Sequence, residues 1–184
     1  MEDVYQTTSL QPSHQQKLEH PQFNFHRERF FENVGNRRSI RRFQKHSVWR
    51  KCLLAIAWAV QPPIATENFE EIEIYSVVHD IEGISPGFYK NTHLIQAGNF
   101  REKIGYLCIN QAIARDCAVT LFFLSNYLSY ETAVQLAGFI GKSVYLFSNY
   151  WEIDSSGIGA FYDDETQDFL ETNKDVLYAM AIGK

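Results

Sequence analysis

The stretch Ala118-Val-Thr-Leu-Phe-Phe-Leu-Ser125 is apolar at nearly every position. A strand with one wet face alternates apolar and polar residues. One that does not alternate must be covered on both sides. A chain holding such a segment needs a sheet with packing layers above and below it. The following segment, Tyr130 to Tyr150, offers one such layer. Its residues Ala133, Leu136, Ala137, Ile140, Val144 and Phe147 leave no wide polar face. That pattern predicts a central helix, or one buried against a second subunit, with Ala133, Phe139 and Ile140 as candidate contacts.

The other elements mix helix and strand without strict alternation. Asn24 to Asn33 predicts a helix capped by Asn24, with Phe30 and Phe31 on its apolar side. Ser47 is placed to cap a helix through Val60, which Pro62-Pro63 ends. Ile72 to Val78 reads as a β-branched strand, and Ser85-Pro86-Gly87 as a turn. Phe88-Tyr89 and His93-Leu94-Ile95 follow as short strands. A single helix is expected from Asn99 or Phe100 to about Ala114. Ser156 to Phe161 is a Gly-rich strand or turn. Asp163-Asp164-Glu165 charges the start of a helix favourably against its dipole. Val176 to Ile182 is the last strand. No internal repeat is visible. The sum is an α+β domain with a buried sheet packed by helices.

Residues 1–22 carry few aliphatic side chains and much Gln, Ser and His, so a flexible N-terminal arm is expected, followed by one domain over 23–184. Fourteen Phe, ten Tyr and three Trp supply large faces for a core or a subunit interface. A net charge of −5 argues against general nucleic-acid binding. Cys52, Cys108 and Cys117 share no metal-ligand spacing and read as buried, reduced thiols of a cytoplasmic protein. No apolar run reaches membrane-spanning length, and the polar start does not read as a secretory signal.

Against this acidic background, residues 37–43 read Arg-Arg-Ser-Ile-Arg-Arg-Phe, with four guanidiniums in six residues. Mutual repulsion makes such a cluster costly unless an anion offsets it. Arginine presents a planar fork of donors matched to phosphate oxygens, and Ser39 adds a hydroxyl. Two readings fit these residues. One is a site for a small ligand with one phosphate. The other is a solvated basic turn, or a turn that touches acidic protein surface.

The Arg-Arg-Ser-Ile-Arg-Arg-Phe start, the segment from Glu73 to Tyr89 with its Pro86-Gly87-Phe88-Tyr89 end, and Gly157-Ile158-Gly159-Ala160-Phe161-Tyr162-Asp163-Asp164 together resemble the nitroreductase superfamily. Within it, the nearest resemblance is to the SagB-type dehydrogenases, a branch that includes FMN enzymes oxidising thiazolines and oxazolines in peptide natural products. The resemblance covers roughly residues 30–184. It implies a three-layer α+β sandwich, with a mixed or antiparallel sheet, flanking helices and a long central helix. It also implies bound FMN, with NAD(P)H as an electron donor, and a homodimer acting on a small-molecule or peptide substrate. Carried over by residue, Arg37, Arg38, Ser39 and Arg41 would grip the phosphate and ribityl chain. Gly157, Ile158, Gly159 and Ala160 would bring backbone close to the flavin ring, where small residues permit the approach.

The chain also departs from that pattern. Where the family has a Ser-rich loop under the flavin, this sequence has Pro62 to Glu71, in which only Thr66 and Asn68 offer comparable polar contacts. The azoline-oxidising members carry a Lys-Tyr pair before the long helix. Here Asn126-Tyr127-Leu128-Ser129-Tyr130 contains no lysine, which leaves Tyr127 and Tyr130 as the candidates for proton handling. Phe139 and Lys142 replace the branch's His and Gln, and Lys184 follows directly on the last strand, without the partner-embracing extension of many relatives. Two functional classes follow. One is an FMN-dependent oxidoreductase. The other is a catalytically degenerate nitroreductase-like subunit with a structural role in a biosynthetic complex.

Other polar residues carry less. His79 and Asp80 are adjacent, so on a strand they point to opposite faces. His14, His20 and His26 have six-residue spacing, unlike the i, i+4 spacing of a helical metal pair.

Overall fold

The computed structural model describes residues 26–49, 72–90 and 93–184. The expected arm, the loop at 62–71 and all but the start of the helix expected from Ser47 lie outside these residues. Helix α1 spans Arg27–Asn36. Strands β1 (Glu73–Val78), β2 (Gly87–Lys90) and β3 (His93–Ala97) follow. Next come helices α2 (Arg101–Leu107) and α3 (Ala112–Asp116), strand β4 (Val119–Ser125) and helix α4 (Tyr130–Tyr150). Strand β5 (Asp154–Ile158), helix α5 (Asp163–Phe169) and strand β6 (Asp175–Gly183) complete the order.

The six strands form one sheet in the order β3-β2-β1-β4-β6-β5, with every neighbouring pair antiparallel. All seven residues of β4 are buried, as an unalternating apolar run requires. Tyr75, Val77, Phe122 and Ala179 face one layer, where they meet Ile104 and Leu107 of α2, Ile113 of α3 and Leu170 after α5. Leu121, Phe123, Met180 and Ile182 face the other, where they meet Ala137, Ile140 and Val144 of α4. Phe122 and Phe123 are both wholly buried, on opposite faces. Each contributes about 1.5–3 kcal/mol of transfer free energy. The result is the three-layer α+β sandwich with a long central helix. Among the described residues, no helix is long and apolar enough to cross a membrane.

Several local expectations are corrected. The single helix expected over 99–114 is two helices, because Ile109 and Asn110 both take φ of 55° and break it. Asparagine tolerates that left-handed conformation, whereas β-branched Ile109 adopts it against its steric preference. Helix α1 begins after His26, whose side chain makes no capping bond. It is held instead by α4 and the turn after it: Asn149 Nδ2 donates to the Asn33 carbonyl at 2.9 Å, and Arg29 pairs with Glu152 at 2.8 Å. Phe31 is exposed, with Phe30 edge-on to its ring and the Arg27 guanidinium over it. At the predicted start of the second helix, Val48 instead bridges Ile81 in parallel and is buried.

Helix α4 spans its predicted residues, with the Ser129 hydroxyl accepting from the Thr132 amide. It is not buried all round. Ile140 is buried against the chain's own sheet and Ala133 is wholly buried, whereas Phe139 is 53% exposed. Gly141 sets how close α4 lies to the sheet, since a Cβ there would stand 2.7 Å from Cε1 of Tyr178.

Candidate functional site

The arginine loop lies along the edge strand β5 and the end of β6. The Ile40 amide donates to the Ser155 carbonyl at 3.4 Å, and the Gln44 amide donates to the Lys184 carbonyl. Phe43 is the apolar anchor of the loop. It is buried, and it packs where a Cβ on Gly183 would stand 2.8 Å from its ring. With Phe43 turned inward, Arg38, Ser39, Arg41 and Arg42 are left exposed, and Arg37 is half-buried. Among the described residues, none of these four guanidiniums pairs with a carboxylate.

Tyr145, five residues before the end of α4, joins the loop to the strand. Its ring lies under the Arg37 guanidinium, with Cζ 4.9 Å from the centroid. Its hydroxyl is 3.1 Å from Ser39 Oγ and accepts the Gly157 amide proton at 2.5 Å. The Tyr178 hydroxyl lies over the same strand, where a Cβ on Gly157 would fall on it. Burial first, then the charge and hydrogen bond of Tyr145, push the Tyr178 phenol up to about 12, against a smaller lowering by Arg37.

Two cavities flank this tyrosine pair. One, of about 120 Å³, is lined by Arg37, Arg38, Tyr145, Asn149, Asp154 and Ser155 among others. Its size and unpaired guanidiniums suit a phosphate group, although Asp154 also borders it. The Asp154 carboxyl is raised by burial and partly restored by Lys184. The other, of about 370 Å³, is lined by Tyr130, Ile158, Gly159 and Tyr178, with Asp163, Asp164 and Asp175 at its rim. That volume falls in the range of small-molecule sites. Strand β5 runs from the first cavity towards the second, a span of roughly 13 Å from Ser155 to Gly159 at strand rise.

The sequence-predicted residues therefore fall into two neighbouring groups. Arg37 and Arg38 line the smaller cavity, Ser39 lies beside it against the Tyr145 hydroxyl, and Ile158, Gly159 and Tyr130 line the larger. Arg41 borders neither cavity and is exposed. Gly157 is a glycine for a reason internal to the chain: a Cβ there would fall on the Tyr178 hydroxyl. Gly159 has nothing within 4 Å of an added Cβ, so open space lies beside it. The Ile158 side chain is buried in the core, and the Ala160 carbonyl accepts from Gln111 Nε2 at 3.1 Å. Tyr127 packs edge-on against Tyr130 with centroids 5.3 Å apart, and its phenol is raised chiefly by a hydrogen bond to Asp175.

Tyr145, Asn149 and Tyr178 were not singled out by sequence. A signal existed in the first two, polar groups at i, i+4 inside an otherwise apolar helix. His79 lies just past the end of β1, is 6% exposed, and has no hydrogen-bond partner on either ring nitrogen. Burial, and secondarily Arg101, lower its pKa to about 3. Among the described residues, no group of three or more His, Cys, Asp or Glu side chains converges to hold a metal.

No family model matches the chain, and no curated protein matches it. Solved structures do. A nitroreductase candidate from Anabaena variabilis aligns over 84% of this chain and 38% of its own, with 23% identity and a TM-score of 0.72. Nitroreductase A from Vibrio parahaemolyticus aligns over 84% of this chain and 67% of its own, with 18% identity and a TM-score of 0.66. The NADPH:FMN oxidoreductase of Vibrio harveyi, solved with NAD+, aligns over 84% and 68%, with 17% identity and a TM-score of 0.65. The chain thus spans little more than a third of the first of these proteins and about two thirds of the others. These likenesses establish the nitroreductase fold.

Proposed function

We propose that this chain is an FMN-binding oxidoreductase domain, and that Arg37, Arg38 and Ser39 hold the flavin phosphate while the backbone near Gly159 borders the ring. Arg41, exposed on the same loop, would add charge from the solvent side. One observation carries the reading. The arginine loop and the glycine strand, far apart in sequence, lie side by side, and the guanidiniums there have no carboxylate partner among the described residues. The donor set fits a phosphate, and the open side of Gly159 leaves room for a planar group. When bound, FMN supplies hydride transfer, and the protein supplies binding, orientation and electrostatics.

Tyr130, at the larger cavity, and Tyr127, edge-on against it, are the phenols proposed to pass a proton there. NAD(P)H is the proposed donor, and a small molecule or peptide the proposed substrate. The SagB-type branch is the finer reading and rests on the sequence motifs. A homodimer is favoured by the apolar groups left outside in the first half of α4, with Tyr130, Val134 and Phe139 partly exposed. A cytoplasmic setting suits the buried free thiols Cys108 and Cys117.

A second reading has its own support. The Gly157 amide is already taken by Tyr145, and the space over Gly157 by Tyr178. A degenerate subunit that keeps the fold and binds no flavin would look the same there. Titration with FMN separates the two. Saturable quenching of flavin fluorescence, with a yellow protein after gel filtration, is expected. A preparation that stays colourless in excess FMN would overturn the flavoprotein reading in favour of the second.

A further inference from the structure

Strand β6 outruns β5. On one side it pairs with β4 down to Asp175, opposite Ser125. On the other side its last partner is Ile158, opposite Ala179. The chain then turns off at Gly159 towards α5. Among the described residues, no strand pairs with Asp175, Val176, Leu177 or Tyr178 on that side, and no loop backbone bonds to them. These four residues span roughly 10 Å at strand rise, enough to pair with a short extended segment. They line the cavity of about 370 Å³ together with Gly159. A Cβ on Gly159 would meet nothing within 4 Å, so space is open where β5 ends. An unpaired strand edge is a template for a further strand.

The wall of this cavity is acidic. Asp163 and Asp164 stand at the start of α5 and Asp175 at the start of β6, and all three are exposed. Asp175 Oδ1 accepts from Gln167 Nε2 at 3.1 Å, a neutral donor that leaves its charge in place. No cation lines the cavity, and among the described residues none of the three carboxylates pairs with one. Lys174, next to Asp175 in the chain, is held by Glu73 at 2.7 Å. Tyr130 borders the cavity from α4, in the layer across the sheet from α5. A strand laid along β6 would turn alternate side chains to these two layers.

We propose that the open edge of β6 docks an extended segment of a partner protein in which basic and apolar residues alternate. Its lysines or arginines meet Asp163 and Asp164, and its apolar side chains meet Tyr130. The backbone edge holds the segment extended, and charge complementarity selects it. A second copy offering the same edge would set these carboxylates against their own kind. The inference goes beyond the oxidoreductase reading, because docking on β6 needs neither a flavin nor the arginine loop.

The test is fluorescence anisotropy with a labelled, end-blocked hexapeptide of alternating lysine and valine, with FMN absent and present. The peptide should bind saturably in both, about tenfold more tightly than its counterpart with norleucine for lysine. Salt raised to about 0.5 M should remove most of that difference. Pairing along one strand edge uses every second amide. N-methylation of one alternate set of amides should therefore abolish binding, and methylation of the other set should spare it. Asp163→Asn combined with Asp164→Asn should bring the lysine and norleucine peptides to within about threefold of each other. If that variant does not fold, the peptide comparisons on the wild-type protein decide the matter. Equal binding of the lysine and norleucine peptides, or of the two methylated sets, overturns the proposal. So does lysine amide bound as tightly as the peptide, which would make the cavity a site for a small cation. Self-association without peptide uptake would assign the edge to a second copy and overturn it as well. A protein that takes the peptide and no FMN keeps this inference and loses the flavoprotein reading. One that takes FMN and no peptide does the reverse.

Discussion

Arg37 lies over the ring of Tyr145, 4.9 Å from guanidinium carbon to centroid, and that one contact ties a surface loop to the central helix. A cation on an aromatic face is held without being neutralised. The guanidinium therefore stays available to an anion, which an Asp or Glu partner would have prevented.

Removal of two of the loop's cations tests this directly. Arg37→Ala combined with Arg41→Ala should weaken FMN binding by about 1.5–3 kcal/mol or more, the worth of charge-assisted hydrogen bonds. Isothermal titration with FMN measures it. An affinity equal to wild type would mean that the cluster serves another purpose.

The two glycines of the strand should behave oppositely. In Gly157→Ala the new methyl meets the Tyr178 hydroxyl. The strain should cost about 1–3 kcal/mol of stability. Gly159→Ala meets nothing within 4 Å, and its φ lies outside the left-handed region. Stability there should hold or rise by about 0.5 kcal/mol. Urea denaturation of the two variants, followed by tyrosine and tryptophan fluorescence, gives the comparison.

Acid should unfold the protein partly through His79. Its imidazole is buried neutral, with a pKa lowered from 6.5 to about 3, so the unfolded chain binds the proton more readily between those values. Its contribution is whole above pH 6.5 and is lost as pH falls, at about 1.4 kcal/mol per pH unit inside the window. His79→Met cannot titrate, so its stability should fall less steeply from pH 6.5 to pH 4.5 than that of wild type. Identical slopes in the two proteins would refute the assignment.

Catalysis should divide by reaction type. Hydride chemistry belongs to the flavin, so the FMN-loaded protein should reduce quinones or nitroaromatics slowly with NAD(P)H. Azoline oxidation also needs a proton taken from carbon, and a positioned base is worth roughly 10²–10⁴-fold. The segment Asn126 to Tyr130 has no lysine, so thiazole formation from a thiazoline peptide should be poor. Rapid turnover of that peptide by the isolated protein would contradict the expectation.

The sheet was the most legible part of the molecule. An apolar run such as 118–125 has few solutions, and Ala133, Ala137, Ile140 and Val144 recur at the spacing of one helix face. The break at Ile109-Asn110 was not legible, because neither residue marks a left-handed turn as glycine would. The loop and strand of the site were found through their motifs, yet their junction was hidden. Tyr145 and Tyr178 look like ordinary core aromatics until the fold brings their hydroxyls to one point. Gly157 shows the same limit from the other side. A missing side chain is visible in sequence, whereas the group that fills its place is not.

Strand β6 lies between β4 and β5, and it follows both in the chain. During synthesis, at roughly 5–20 residues per second, β4 is made several seconds before its neighbour on that side exists. Its unpaired backbone edge, flanked by mostly apolar side chains, waits through that interval with β1 as its partner. A nascent chain of this design is therefore at its most adhesive between the making of β4 and of β6, and its yield in a cell should depend on how fast the ribosome delivers residues 175–183.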